Sequence, residues 1–133
     1  MIGVLVVTHG AIGEALLASA EQILGVKQAR AAAFGVSRSD DPESVLARLR
    51  KLAARLDGGA GLLVLTDMFG ATPCNVASRL LADGRVEGVA GVSLPMLVRV
   101  LSGRDGSLPA AVQRALSGGA EGVVHMNTDS CGA

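Results

Sequence analysis

The chain has 133 residues with a formal net charge of zero, and half of its residues are hydrophobic while only Phe34 and Phe69 are aromatic. This length predicts one domain over residues 1–133, with a core of small aliphatic side chains. The net charge of zero and the scarcity of aromatic side chains on which bases could stack exclude a typical nucleic-acid-binding protein. Because no apolar segment approaches the roughly 20 residues of a membrane span, and no basic region opens the chain, we expect a cytoplasmic protein without direct membrane insertion.

The first half of the chain alternates predicted strands and helices. A β-branched run at 2–7 indicates a buried strand, and apolar spacing over 11–24 indicates a helix that ends at Gly25. A weaker strand is expected at 29–36. Asp41 is then followed by proline, which marks the start of the next helix.

The second half continues this alternation. Its predicted elements are strand 61–67, helix 72–82, strand 86–92, helix 94–102, helix 108–117 and strand 121–126, followed by a frayed polar tail at 127–133. Strands that alternate with helices favour parallel pairing through right-handed crossovers. The expected fold is therefore α/β: an open, mostly parallel sheet with helices on both faces, a flavodoxin-like three-layer sandwich.

The two clearest strands end in the same way, with Thr8-His9 in one and Thr66-Asp67 in the other. In an open α/β sheet, ligands bind beyond the carboxyl ends of the strands. If these strands are neighbours, the carboxylate accepts the Nδ1 proton of the imidazole and leaves Nε2 free as a nucleophile or base. The alternative is that His9 and Asp67 are ordinary polar residues at strand ends, and two matched positions favour a site.

The segment MFGATPCN after Asp67 adds to this hypothesis. Gly70 allows a sharp turn, and Thr72 before Pro73 predicts a capped helix start. Free amides at a helix start attract anions such as phosphate, although most such loops bind nothing. Beside His9, the loop suggests phosphoryl chemistry.

The remaining candidates are weaker. Cys74 is expected to be a small buried hydrophobe, and with Cys131 it makes no disulfide framework. His125 is interpreted as structural or exposed, and no third ligand has metal-binding spacing, so neither a metal nor a cofactor is expected. Arg99 and Arg104 are expected on a solvated helix face unless they contact a charged partner.

Three segments resemble the enzyme IIA domain of the mannose family of the bacterial phosphoenolpyruvate-dependent phosphotransferase system. They are GVLVVTHGAIGEALLASAEQILG (3–25), TDMFGATPCNVASRL (66–80) and VAGVSLPMLVRVL (89–101). The resemblance implies that His9 accepts a phosphoryl group from the histidine-containing phosphocarrier protein. It passes the group to a histidine on an enzyme IIB partner, while Asp67 pairs with the ring.

The resemblance also assigns roles around this pair. The residues implied to border the phosphoryl group are Thr8, Thr66, Gly70, Ala71 and Thr72; those implied, more weakly, at the partner surface are Phe69, Pro95, Met96 and Arg99. The family further implies a homodimer in which the strand at 121–126 is exchanged between subunits. A phosphotransferase with a phosphohistidine intermediate needs no metal when donor and acceptor are both imidazoles.

The chain departs from the family pattern at four positions, with Phe69 for Trp, Ala71 for Gly, Thr72 for Ser and Ser93 for Asn. An alanine is costly at position 71 if its φ must be positive. Two alternatives to a sugar-transport carrier stay open. One is a regulatory phosphoprotein whose phosphorylation state controls binding to a target protein, and the other is the phosphotransferase subunit of dihydroxyacetone kinase.

Overall fold

A computed structural model describes residues 1–128 of the chain. The strands are β1 (Gly3–His9), β2 (Ala31–Val36), β3 (Leu62–Thr66) and β4 (Val86–Ala90); the helices are α1 (Ile12–Leu24), α2 (Pro42–Leu56), α3 (Thr72–Ala77), α4 (Leu94–Leu101) and α5 (Leu108–Glu121), with a 3₁₀ turn at Ser78–Leu80. Within this range, none of the helices has the length and apolar character needed to cross a membrane.

The four strands form one parallel sheet in the order β2-β1-β3-β4. The predicted open α/β sheet with helices on both faces is therefore confirmed. Val7 of β1 pairs with Thr66 of β3, so these two strands are neighbours and their carboxyl ends lie side by side. His9 and Asp67, which follow that register pair, are thereby brought to the same edge of the sheet.

The core consists of two aliphatic layers, one on each face of the sheet. Successive side chains of a strand point to opposite faces. Accordingly, Val4 and Val6 of β1 pack in the layer that contains residues of α1, α4 and α5, while Leu5 and Val7 pack in the layer that contains residues of α2 and α3. Burial on both faces explains why β1 is an unbroken apolar run up to Thr8.

Side-chain caps begin three of the helices. Asp41 accepts the amide proton of Ser44 at 3.1 Å, and Ser107 accepts that of Ala110 at 3.2 Å, as the sequence predicts. Ser93 caps α4 in the same way, a role that was not predicted from the sequence. Each cap stands one or two residues before a proline at the helix start.

Two predicted helix ends are wrong. Helix α3 ends at Ala77 and passes into a 3₁₀ turn instead of reaching residue 82. Helix α5 continues through Gly118 and Gly119 to Glu121. A Cβ at Gly118 would lie 3.1 Å from the Cα of Met96, so this glycine permits close packing of α5 on α4 and does not end the helix.

The predicted strand at 121–126 is also wrong within the described chain. Glu121 is the last residue of α5, and residues 122–128 belong to no strand of the described chain, so the exchange of this segment between subunits stays a prediction. Val123, Val124 and Met126 are left 86%, 50% and 69% exposed. Residues 129–133, which include Cys131 and most of the predicted tail, lie outside the described residues.

Arg104 is buried, with 4% of its surface exposed, so its predicted place on a solvated face is wrong. Its guanidinium donates to the carbonyls of Ile2 at 3.1 Å and Arg30 at 3.2 Å, and to the side chain of Gln28 at 3.2 Å. Burial lowers the pKa of this group, and nearby Asp105 opposes the shift. Arg104 therefore fastens the amino-terminal ends of β1 and β2 together.

Gly35 in β2 lies against the turn that follows His9. A Cβ at this position would lie 2.1 Å from the carbonyl oxygen of Gly10, so Gly35→Ala must displace the backbone. We expect a loss of about 1–3 kcal/mol in the free energy of unfolding, measured by urea denaturation. Gly106→Ala is the control, since the nearest atom to its Cβ is 3.9 Å away. Equal stability of the two variants would contradict the contact.

Candidate functional site

The imidazole of His9 and the carboxylate of Asp67 form a direct pair at the carboxyl edge of the sheet. His9 Nδ1 lies 2.7 Å from Asp67 Oδ2, and the same oxygen accepts the backbone amide proton of His9 at 3.0 Å. The other carboxylate oxygen accepts the amide proton of Met68 at 3.1 Å. Three donors on two adjacent strand ends therefore hold the carboxylate, and the carboxylate holds the ring.

The electrostatics of the pair determine which ring nitrogen is free. Burial raises the pKa of Asp67, but the hydrogen bonds from the ring and the amide of His9 outweigh it, and the pKa lies below the ordinary value. The carboxylate is therefore ionised near neutral pH and can only accept, so Nδ1 carries the proton that joins the pair. Nε2 has no hydrogen-bond partner within residues 1–128, and 48% of the His9 side chain is exposed. The site therefore presents a nucleophilic nitrogen to solvent.

The lowered pKa of Asp67 predicts a pH dependence of stability. A carboxylate whose pKa is lower in the folded than in the unfolded state stabilises the fold above the unfolded pKa, and this stabilisation is lost as the pH falls through the folded pKa. The free energy of unfolding should thus fall more steeply between about pH 5 and pH 2 in the wild type than in Asp67→Asn. Urea denaturation across this range tests the expectation, and parallel curves would contradict it.

The two threonines of the strand ends are buried. Thr8 is fully buried, and its hydroxyl accepts the amide proton of Gly13 at 2.7 Å and donates to the carbonyl of His9 at 3.2 Å. Thr66 is 5% exposed, and its carbonyl accepts the amide protons of Gly91 and Val92. Thr8 therefore ties the start of α1 to the end of β1 and fixes the backbone that carries His9.

The loop after Asp67 has the sharp turn that Gly70 predicted. Gly70 has a φ of +84°, which favours glycine, whereas Ala71 has a φ of −80°, so the alanine departure from the family pattern causes no backbone strain. The predicted cap is wrong in detail. Ala71 occupies the N-cap of α3, no side chain caps the helix, and Thr72 is its first residue. Thr72 is an exposed residue whose side chain does not cap the helix.

Asn75 is the last residue of the segment MFGATPCN, and no role was predicted for it from the sequence. Its side-chain amide donates to the carbonyl of Gly70 at 3.1 Å, and its backbone amide donates to the carbonyl of Ala71 at 2.9 Å. The signal for it in the sequence is its place at the end of MFGATPCN, within a segment that carries the family resemblance.

Of the four residues implied at a partner surface, Phe69 and Pro95 are exposed, Phe69 by 86%. Met96 is 3% exposed and belongs to the core between α4 and the sheet, so its assignment to that surface is wrong. Arg99 is half-buried and donates to Ser117 and Glu121 of α5, which gives it a structural role in the described chain. Met68, which was not predicted to lie at this surface, is 62% exposed beside Phe69.

Cys74 and His125 stand apart from the pair. Cys74 is a half-buried free thiol in an apolar groove bounded by α3, β3 and β4. His125 follows α5, and its carbonyl accepts hydrogen bonds from Thr128. Among residues 1–128, no three His, Cys, Asp or Glu side chains are grouped as they would be to hold a metal ion.

Comparison with known proteins finds the same fold and family. The family model described as "PTS system fructose IIA component" matches residues 3–116. The chain is 36% identical over 92% of its length to the "PTS system mannose-specific EIIAB component" of Escherichia coli, although it spans only 38% of that protein. It is 31% identical over 79% of its length to the "PTS system fructose-specific EIIA component" of Bacillus subtilis, of which it covers 72%.

A solved structure agrees with these relatives. The crystal structure of the phosphotransferase system component EIIA from Streptococcus agalactiae has a TM-score of 0.85 and is 27% identical, and the alignment covers 97% of this chain and all of that one. The chain therefore belongs to the fructose and mannose enzyme IIA family of the phosphotransferase system, whose components act in phosphoryl transfer during sugar uptake.

Proposed function

We propose that this chain is a cytoplasmic phosphocarrier that accepts a phosphoryl group on Nε2 of His9. The donor is the histidine-containing phosphocarrier protein, and the acceptor is a histidine of an enzyme IIB component. The observation that carries the proposal is the 2.7 Å contact between Nδ1 and Asp67, because it fixes the proton on one nitrogen and leaves the other free. The membership of the chain in the enzyme IIA family supports the same chemistry.

Phosphoryl transfer between the two imidazoles needs neither a metal nor a cofactor. The lone pair of Nε2 forms a bond to phosphorus as the bond from phosphorus to the donor imidazole breaks. The phosphorylated ring of His9 keeps its proton on Nδ1 and gains positive charge, and the ionised Asp67 beside it offsets that charge. In the second transfer, the acceptor histidine attacks phosphorus, and the bond from phosphorus to Nε2 of His9 breaks. Positioning and charge stabilisation therefore account for catalysis.

We assign the loop at 70–72 to the border of the phosphoryl group. Gly70 turns the chain sharply three residues after Asp67, and the hydroxyl of Thr72, an exposed residue, is a donor suited to a phosphoryl oxygen. Thr8 and Thr66 are buried, so we assign them to support of the two strand ends. The exposed Met68 and Phe69 then meet the partner proteins.

The test is a reconstituted transfer. The protein is incubated with phosphoenolpyruvate, enzyme I and the phosphocarrier protein, its intact mass is recorded, and purified enzyme IIB is then added. We expect one acid-labile phosphoryl group on the chain that disappears as enzyme IIB gains it. Phosphorylation without transfer to any enzyme IIB would instead favour the regulatory phosphoprotein. No phosphorylation, with a working control enzyme IIA, would contradict both.

We also propose that the chain is a homodimer in which residues 123–126 of one copy cover the groove of the other. The groove lies at the open edge of β4 and is lined largely by apolar residues, among them Val64, Ala77 and the exposed Leu81. The exposed apolar residues at 123–126 have the chemistry to fill it. The family resemblance supports an exchange of this kind.

Light scattering tests the dimer. The molar mass of the wild type should be twice that of the monomer. The variant with both Val123→Asp and Val124→Asp should have the mass of the monomer, because burying carboxylates in an apolar groove is costly. A monomeric wild type at micromolar concentration would overturn this proposal without affecting the assignment of His9.

A further inference from the structure

The loop between Asp67 and α3 is fastened by few contacts. At its start, Met68 donates its amide proton to the carboxylate of Asp67 at 3.1 Å. In its middle, the amide of Ala71 lies 3.4 Å from the carbonyl of Met68, which is long for a hydrogen bond. No side chain caps α3. Among the described residues, Asn75 supplies the other two bonds: its backbone amide donates to the carbonyl of Ala71, and its side-chain amide donates to the carbonyl of Gly70.

The hydrogen bond from the Asn75 side chain holds the carbonyl of Gly70, the residue of this loop with a positive φ. Gly70 has a φ of +84° and no side chain of its own, and no atom lies within 4 Å of the place where a Cβ would be. A glycine without packing samples many conformations when nothing binds its backbone. The bond from Asn75 crosses from the first turn of α3 back over five residues, and it selects one orientation of the Gly70 carbonyl.

The orientation of that carbonyl matters electrostatically. A carbonyl oxygen that faces a transferring phosphoryl group repels its oxygens, whereas one drawn toward an amide donor is directed elsewhere. Pro73 holds its own φ in the first turn of α3, but it has no N–H with which to bind the Gly70 carbonyl. Asn75 is thus the group that can keep the acceptor oxygen of Gly70 turned toward the helix.

We propose that Asn75 is a positioning residue for phosphoryl transfer, acting through the carbonyl of Gly70. The inference rests on the proposed function of His9. It goes beyond that function by predicting that the side-chain amide of Asn75, an exposed residue on α3 with no hydrogen bond to His9 or Asp67 among the described residues, controls the rate of transfer.

Two substitutions separate the donor from the charge. Asn75→Asp keeps the size of the side chain and removes the donor but adds a negative charge, whereas Asn75→Ala removes the donor without adding charge. The matched control is Gln28→Glu, because the amide of Gln28 also donates to a nearby backbone carbonyl, that of Val26 at 3.3 Å, and glutamate keeps the oxygen that accepts from Arg104. Gln28 precedes β2 and so lies at the amino-terminal end of the strands, whereas His9 lies at their carboxyl end.

The readout is the single-turnover rate of phosphorylation over a range of phosphocarrier concentrations. Both Asn75 variants should lower the maximal rate roughly tenfold, as expected for the loss of one positioning hydrogen bond, with less than about twofold change in half-saturating concentration. The phosphorus NMR line of the phosphorylated variants should also shift, whereas Gln28→Glu should match the wild type. A change confined to the melting temperature would indicate a merely structural role and would overturn the inference.

Other outcomes are equally decisive. If Asn75→Ala transfers at the rate of the wild type while Asn75→Asp is slow, repulsion by the new charge is the cause, and the inference fails. If the wild type is not phosphorylated at all, the proposed function of His9 fails first. A phosphorylated wild type with unaffected Asn75 variants leaves that function standing and removes Asn75 alone.

Discussion

His9→Ala is expected to abolish phosphorylation while the fold is retained. No other side chain presents a nucleophilic nitrogen beside Asp67 within the described residues, so we expect no acid-labile phosphoryl group above the background of the assay. Because about half of the His9 side chain is exposed, the free energy of unfolding should change by no more than about 1 kcal/mol. Intact-mass measurement and urea denaturation give the two values.

The control for this result is His125→Ala, which removes the other histidine of the chain. That residue follows α5, and its ring forms no ion pair with a carboxylate within residues 1–128. Its variant should be phosphorylated like the wild type. Phosphate that persists in His9→Ala and vanishes in His125→Ala would reverse the assignment.

Asp67→Ala is expected to slow phosphoryl transfer by roughly 10²- to 10⁴-fold without preventing it, the range seen when the group that orients a catalytic imidazole is removed. The variant frees the ring to rotate and removes the negative charge beside the cationic phosphorylated ring. It also leaves the amides of His9 and Met68 without their shared acceptor. Stopped-flow or quenched-flow measurement of the first turnover gives the rate.

Asp67→Asn separates the orientation of the ring by Asp67 from the effect of its negative charge. The amide keeps an oxygen that can accept the Nδ1 proton, but it carries no charge. A rate between those of the wild type and Asp67→Ala is expected. Transfer at full rate in Asp67→Ala would remove this carboxylate from the mechanism.

The parts of the fold that depend on neighbouring residues in sequence were predictable. Asp41 and Ser107 cap the helices that follow them, because the cap and the proline after it act within one helical turn. The alternation of buried strands and helices likewise depends on local apolar patterns. These local signals were sufficient to predict a parallel α/β sheet.

The errors arise where distant contacts decide the structure. Gly118 is typical of a helix end, but its contact with Met96 of α4 makes it an interior residue of α5. Arg104 follows a surface-like pattern, yet it binds carbonyls of Ile2 and Arg30, which are 102 and 74 positions away in sequence. Such contacts appear only once the chain is folded.

The candidate site divides in the same way. His9 and Asp67 were predictable as strand-end residues, but their contact required β1 and β3 to be neighbours, which no local pattern specifies. The role of Thr8 as a buried acceptor for Gly13 and the bond from Asn75 to Gly70 depend on exact backbone geometry. The sequence therefore identified the chemical groups, and the structure supplied their arrangement.

In the mechanism that we propose, Asp67 holds Nδ1 of His9 and leaves Nε2 to carry the phosphoryl group. The most direct test is phosphorus and nitrogen NMR of the protein labelled in histidine and phosphorylated by the phosphocarrier protein, because the two phosphohistidine isomers give distinct couplings. Phosphate on Nε2 of His9, with Nδ1 still protonated, is the predicted result. Phosphate on Nδ1, or on His125, would contradict the account.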